Sequence, residues 1–177
     1  MPRLFFALQP TPAQAVALAA EVAPLVAQLG GQASPATNLH ATLCFMGAVA
    51  EEKLDALREA ASRVRALRVT LTFDALDVWE KPQILCATAG ESDSARDLSA
   101  QVMDVVSAAG FTPDRKPFRA HVTLARKVRS AVARNFEWPR ALATMSVRCD
   151  RFVLMESRRD DAGSTYSVVD SWPLYEK

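Results

Sequence analysis

Long apolar runs are missing from this sequence, and none approaches the roughly 18 residues a helix needs to cross a bilayer. The first apolar stretch stops after Leu8 at Gln9-Pro10-Thr11-Pro12, too short for the apolar core of a secretion signal. A soluble chain with no membrane partner is expected. Cysteine is scarce: Cys44, Cys86 and Cys149 are odd in number and far apart. That argues against a disulfide framework and fits small buried hydrophobes in a reducing compartment, with the cytoplasm as the expected location. An excess of one charge sign is also lacking. A net charge of +1 argues against a protein that coats polyanions by bulk positive charge, so any nucleic-acid contact has to be local.

What is present is enough apolar residue, half of 177, to sustain a core without staples. No linker is long enough to divide it, so residues 1–177 are expected to form one domain, with two lobes. Arg3 to Leu8 reads as a short buried strand. Thr11 and Pro12 start a helix carrying Leu18, Val22, Leu25, Val26 and Leu29 at helical spacing up to Gly30-Gly31, with a kink or early end expected at Pro24. Leu39 to Met46 reads as a strand. Glu51 and Glu52 open a helix with Leu54, Leu57, Ala61 and Val64 on one face. Strands are expected over Val69 to Phe73 and, past a Lys81-Pro82 turn, Ile84 to Ala89. A helix runs from about Asp93 to a stop at Gly110. Further strands are expected over Ala120 to Ala125, Val147 to Met155 and Thr165 to Val169, with Asp160-Asp161-Ala162-Gly163 a connection and Trp172-Pro173 a tail. The alternation gives mixed α and β.

Histidine is the rarest of the chemically able residues, and both copies occur in matching contexts: His40-Ala41-Thr42-Leu43 and His121-Val122-Thr123-Leu124. On a strand, residues two apart share a face and lie about 6.6 Å apart, so each His would project with its Thr. Two such strands side by side would line one cleft with two imidazoles and two hydroxyls. In-line displacement at a phosphodiester needs that set: one imidazole accepts a proton from the attacking oxygen, the other donates one to the leaving oxygen, and the hydroxyls hold the non-bridging oxygens. Met once, His-x-Thr-Leu is an ordinary strand segment; the repetition that uses every histidine in the chain is what points to chemistry. Neither histidine has a Cys or His partner at a ligand spacing such as C-x₂-C or H-x₃-H, so a zinc site is not expected. Cys44 shares strand parity with His40, which leaves it a core residue or a weaker candidate for a Cys–His nucleophile pair.

Residues 115 to 134 carry Arg115, Lys116, Arg119, Arg126, Lys127, Arg129 and Arg134 with no acidic residue. This is either a solvated basic loop or a local positive field that steers an RNA end, with Arg126 the member expected to reach the phosphate. Phe45, Phe118 and Trp79 offer stacking surfaces for a base or are core residues.

These motifs resemble the 2H phosphoesterase superfamily, and within it the RNA 2',3'-cyclic phosphodiesterases also described as LigT-like 2'-5' RNA ligases. The likeness covers nearly the whole chain. It includes the opening RLFFAL, Asn38 to Leu43 with Phe45-Met46-Gly47, Pro117 to Arg126, Glu156-Ser157, Gly163, Tyr166 and Trp172-Pro173-Leu174. Ala41 and Ala120 depart from it, standing where a larger apolar residue and a proline are common. The resemblance implies an α+β fold of two pseudo-symmetric lobes, with antiparallel sheets facing a central groove and helices outside. It implies cofactor-free and metal-free hydrolysis of a terminal 2',3'-cyclic phosphate to a 2'-phosphate. His40 would be the proton donor and His121 the proton acceptor, Thr42, Thr123 and Arg126 would bind phosphate, and Phe45 and Phe118 would stack on the base. The implied partner is RNA with 2',3'-cyclic phosphate ends, tRNA fragments among them, met by a monomer. Ligation through a 2'-5' bond is the same chemistry reversed. Two other readings stand beside this one: a cyclic phosphodiesterase of small nucleotides, and a binding module that grips RNA ends without cleaving them.

Overall fold

The computed structural model describes residues 1–114, 116–160 and 163–176. Its strands are β1 (Arg3–Leu8), β2 (Gln32–Ala33), β3 (Ala41–Ala48), β4 (Val69–Trp79), β5 (Ile84–Ala89), β6 (His121–Arg126), β7 (Arg140–Cys149), β8 (Arg151–Asp160) and β9 (Gly163–Pro173). The helices are α1 (Pro12–Gln28), α2 (Leu54–Ser62), α3 (Asp93–Ala108) and α4 (Ser130–Ala133). The strands form two sheets, ordered β3-β1-β8-β9 and β2-β6-β5-β4-β7, and every pairing within them is antiparallel.

The apolar run of β1 is continuous because both of its faces are covered. Leu4, Phe6 and Leu8 enter the main core with Phe152 and Leu154, where they meet residues of the other sheet such as Phe73, Leu85 and Leu124. Phe5 and Ala7 point the other way, into a small cluster with Val153, Met155, Phe45 and Tyr166. A strand buried on both sides loses the polar alternation that marks a half-exposed one. The second cluster is the floor on which the site is built. Helix α3 packs on β3 and β4, and α1 on β6. Ser99 of α3, itself buried, donates to Leu43 O at 2.7 Å and fixes β3 from behind.

Several expectations need correction. Strand β3 begins at Ala41, leaving His40 just outside it. Glu51 and Glu52 open a 3-10 turn, Glu51–Lys53, that precedes α2. Helix α1, closed by a full capping box between Thr11 and Gln14, continues through Pro24 to Gln28. Pro24 lies on the exposed face, where water can satisfy the carbonyl its missing N–H leaves free. The stretch from Val147 to Met155 is two strands in two sheets. Asp150 and Arg151, both exposed between buried Cys149 and Phe152, interrupt the alternation where the chain passes from one sheet to the other. Strand β4 runs on to Trp79, and β9 takes in Trp172 and Pro173. Gly110, at φ +85°, follows α3 as expected. In the connection expected at 160–163, Asp160 pairs with Gly163, while Asp161 and Ala162 lie outside the described residues. No helix is long and apolar enough to cross a membrane, among the described residues.

Candidate active site

The two histidine motifs are built alike. The His40 Nδ1 lies 2.7 Å from Asn38 O, and the His121 Nδ1 lies 2.7 Å from Arg119 O, in each case the carbonyl two residues back. A carbonyl only accepts, so each Nδ1 carries the proton and each neutral ring keeps its lone pair on Nε2. The strands repeat the likeness. Ala7 pairs with Thr42 and Phe6 with Cys44, skipping Leu43. Cys86 pairs with Thr123 and Leu85 with Ala125, skipping Leu124. Each motif therefore carries a register shift at the leucine after its threonine. Such a bulge reverses the alternation beyond it, so the residue three places after each Thr returns to the Thr face. Those residues are Phe45 and Arg126, and both line the cleft.

That cleft, of roughly 360 Å³, is lined by Arg3, Phe5, His40, Thr42, Phe45, Arg126, Ser157, Ser164 and Tyr166. No carboxylate is among them. The His40 ring lies 4.7 Å from Phe5 and 4.9 Å, edge-on, from Tyr166, centroid to centroid. Arg126 Nη2 donates to Tyr166 Oη at 3.2 Å, joining the sheet of the second motif to the sheet of the first. Asn38 ties the turn that leads into β3 to β9, its Nδ2 donating to Ser164 O at 2.8 Å. His121 has its own support. The Trp79 ring lies 4.5 Å away, the Arg119 guanidinium sits over that ring at 4.6 Å, and Asp77 accepts from Trp79 Nε1 at 3.0 Å.

Burial pushes the His40 imidazole down to about 4. The Asn38 carbonyl opposes this, while the positive charges of Arg126 and His121 push further in the same direction. The His121 influence is the smallest of these, and neither His121 nor Thr123 is among the residues that line the cleft around His40. His121 is lowered too, first by burial and then by the Arg119 charge, against the pull of the Arg119 carbonyl. Both rings are held neutral near pH 7.

Stability depends on pH as a result. A folded-state value below the usual 6.5 means that the unfolded chain binds the proton more readily between the two values. Stability from His40 is therefore complete above about pH 6.5 and is lost as the pH falls toward 4. Relative to a His40→Phe variant, the wild-type protein is expected to lose about 2 kcal/mol between about pH 7.5 and 5. Urea unfolding of both proteins at the two pH values checks this; parallel losses would show that His40 is not the group responsible.

The other sequence candidates sort plainly. Phe45 lines the cleft, whereas Phe118 packs against the main core and borders a separate depression with Arg96 and Arg119. Cys44 lies in the main core, its sulfur 3.8 Å from Met46 Sδ. The bulge at Leu43 breaks the parity it shares with His40 in sequence. Burial raises its thiol to about 12, so it is no nucleophile. Cys86, pairing with Thr123 and also raised to about 12 by burial, is the cysteine beside the second motif, which sequence spacing could not show. The basic segment is less free than its composition suggests. Lys116 pairs with Asp114, Arg119 with Asp77 and Arg134 with Glu80, and the Arg129 side chain packs over Gly30. Arg115 lies outside the described residues. Arg3, Phe5, Ser157 and Tyr166 carry part of the resemblance in sequence but were given no site role there, and Ser164 gave no signal. Among the described residues, no group of three or more His, Cys, Asp or Glu side chains is placed to hold a metal ion.

Comparison with known proteins agrees with the resemblance carried by the motifs. The RNA 2',3'-cyclic phosphodiesterase of Escherichia coli (strain K12) is 28% identical over 148 residues, 81% of this chain and 80% of that one. A phosphoesterase of known structure superimposes with a TM-score of 0.83 at 25% identity, covering 99% of both chains. E. coli LigT complexed with 3'-AMP gives 0.82 at 26%, covering 99% of this chain and 100% of that one. The α+β arrangement of two antiparallel sheets is thus shared across the whole length. The model of the 2'-5' RNA ligase superfamily matches residues 11–161, a span that contains both histidine motifs, and the chain belongs to that superfamily.

Proposed function

We propose that the protein hydrolyses the 2',3'-cyclic phosphodiester at RNA 3' ends to a 2'-phosphomonoester, with His40 and His121 as its acid and base and no metal. The observation that carries the reading is the matched pair of imidazoles, each held through Nδ1 with Nε2 left for chemistry, on strands whose matching bulges turn Phe45 to the face of Thr42 and Arg126 to that of Thr123. The names of the curated relatives supply the substrate class.

Water attacks phosphorus in line with the P–O3' bond. His121 Nε2 takes the water proton, the P–O3' bond breaks, and His40 gives its proton to O3', leaving a 2'-phosphate and a 3'-hydroxyl. Thr42, Thr123 and Arg126 donate to the non-bridging oxygens, where negative charge gathers. His40 is held neutral in the free protein, so it must take up a proton from solvent as substrate binds: a phosphate anion beside the buried ring offsets the burial and the Arg126 charge that keep it low. A 5'-hydroxyl of a second RNA in place of water gives 2'-5' joining by the same displacement: the P–O5' bond forms, the P–O3' bond breaks, and the same two histidines move the protons. The reading takes the chain as one two-lobed domain acting as a monomer.

The test is incubation of the purified protein with a short RNA bearing a 2',3'-cyclic phosphate, chelator present, followed by mapping of the phosphate position. A 2'-phosphate product is expected. A 3'-phosphate product, or activity that disappears with chelator and returns with a divalent ion, would overturn the reading. A bell-shaped dependence of turnover on pH is expected with it, and a module that merely grips RNA ends would give no turnover at all.

A further inference from the structure

We infer that Arg3 binds the phosphate joining the terminal nucleotide of the substrate to the one before it, and that the groove beyond Arg3 receives that upstream nucleoside. The inference rests on the cyclic phosphodiesterase reading above and deepens it, because it makes a strand of at least two nucleotides the preferred substrate.

The cleft holding His40 has room for little more than one nucleotide. A second groove, of roughly 730 Å³, has Arg3, Leu54, Glu156, Ser157, Arg158 and Val169 in its lining. Arg3 and Ser157, which face each other across β1 and β8, line both, so the two spaces adjoin at this pair. The strand sets the distance. Arg3 and Phe5 share a face of β1 and lie about 6.6 Å apart along it, close to the spacing of successive phosphates in an extended strand. Phe5 is the residue whose ring packs on His40. Arg3 is thus one phosphate away from the reacting one.

The charges are arranged for that use. Within the second groove Arg158 is spent on Glu156, with contacts of 3.0 and 3.2 Å. Its other wall is apolar, from Leu54 and Val169. A groove so balanced suits a nucleoside better than a phosphate. Arg3, at the junction, is exposed and has no carboxylate partner among the described residues; its guanidinium lies over the Phe45 ring, 5.5 Å from the centroid. A guanidinium steered by an aromatic face and left without an acid is suited to a phosphodiester that arrives with the substrate.

Turnover of a cyclic-ended tetranucleotide and a cyclic mononucleotide tests this in the wild-type protein, Arg3→Gln and Arg3→Lys, with circular dichroism to confirm that each variant is folded. The wild type is expected to favour the tetranucleotide in kcat/KM by about tenfold or more, the effect of one charged hydrogen bond. Arg3→Gln should lose most of that ratio and reduce the salt slope of tetranucleotide binding by about one, and Arg3→Lys should keep both in large part. Equal turnover of the two substrates by the wild type, or an unchanged ratio in Arg3→Gln, would overturn the inference and leave the cyclic phosphodiesterase reading standing. Absence of turnover with either substrate would overturn that reading and the inference together.

Discussion

Replacing His121 with Ala is expected to lower kcat on a cyclic-ended RNA by about 10²- to 10⁴-fold, and replacing His40 to do the same, without loss of the fold. The size follows from the role of each ring, which moves one proton in the transition state, and no other histidine exists in the chain to take over. The Nδ1 bonds to Asn38 O and Arg119 O fix ring orientation through the backbone, so removing one imidazole leaves the other posed as before. If the two rings act as one unit, the double variant should be little worse than either single one, because acid without base gains little. Rates from single-turnover assays of the three variants, with circular dichroism, check this. A single variant with kcat within a few-fold of wild type would remove that histidine from the mechanism. The ring that donates can be identified separately. Bound phosphate should raise the titration of the donor, assigned as His40, as read from imidazole proton shifts; a larger rise at His121 would reverse the assignment.

The histidine pair was legible in sequence because repetition is a signal that survives without coordinates. Other parts of the site were legible only in part. Strict strand alternation places Cys44 with His40 and gives no reason for Arg126, expected to reach the phosphate, to share the face of Thr123; the bulges at Leu43 and Leu124 undo the first placement and supply the second. In the folded chain each bulge shows as two buried neighbours, Leu43-Cys44 and Leu124-Ala125, but in sequence neighbouring apolar residues of this kind do not by themselves announce a one-residue bulge. The aromatic supports of the rings were out of reach for a different reason. Phe5, Trp79 and Tyr166 come from β1, β4 and β9, and nothing local in sequence says which residues of distant strands will meet a histidine. Helices fared better, since α1 and α3 announce themselves by caps and three-four spacing. The run from Val147 to Met155 misled because apolar residues lie on both sides of the crossing between sheets, with only Asp150 and Arg151 to mark it.

Arg126→Gln is expected to lower kcat/KM by about 10²-fold, the cost of one donor aimed at developing phosphate charge, and at the same time to raise the titration of His40 from about 4. The two effects have one origin. The guanidinium lines the cleft and is steadied by Tyr166 Oη at 3.2 Å, and its charge disfavours the imidazolium form of His40. Removing the charge makes protonation of His40 easier in the empty cleft while taking a donor from the substrate phosphate. Arg126→Lys separates the two: it keeps the charge, so His40 should remain depressed, but it gives up the planar fork, so much of the rate loss should persist. Tyr166→Phe, which removes the hydroxyl and keeps the ring against Phe5 and His40, should produce a smaller rate loss than Arg126→Gln and leave the His40 titration near its wild-type position. Imidazole titration by NMR and initial rates on one cyclic-ended RNA, measured on all three variants, decide the matter. If Arg126→Gln changes neither rate nor titration, the arginine is a solvated surface cation and the phosphate must be held by Thr42, Thr123 and the remaining cleft residues without it.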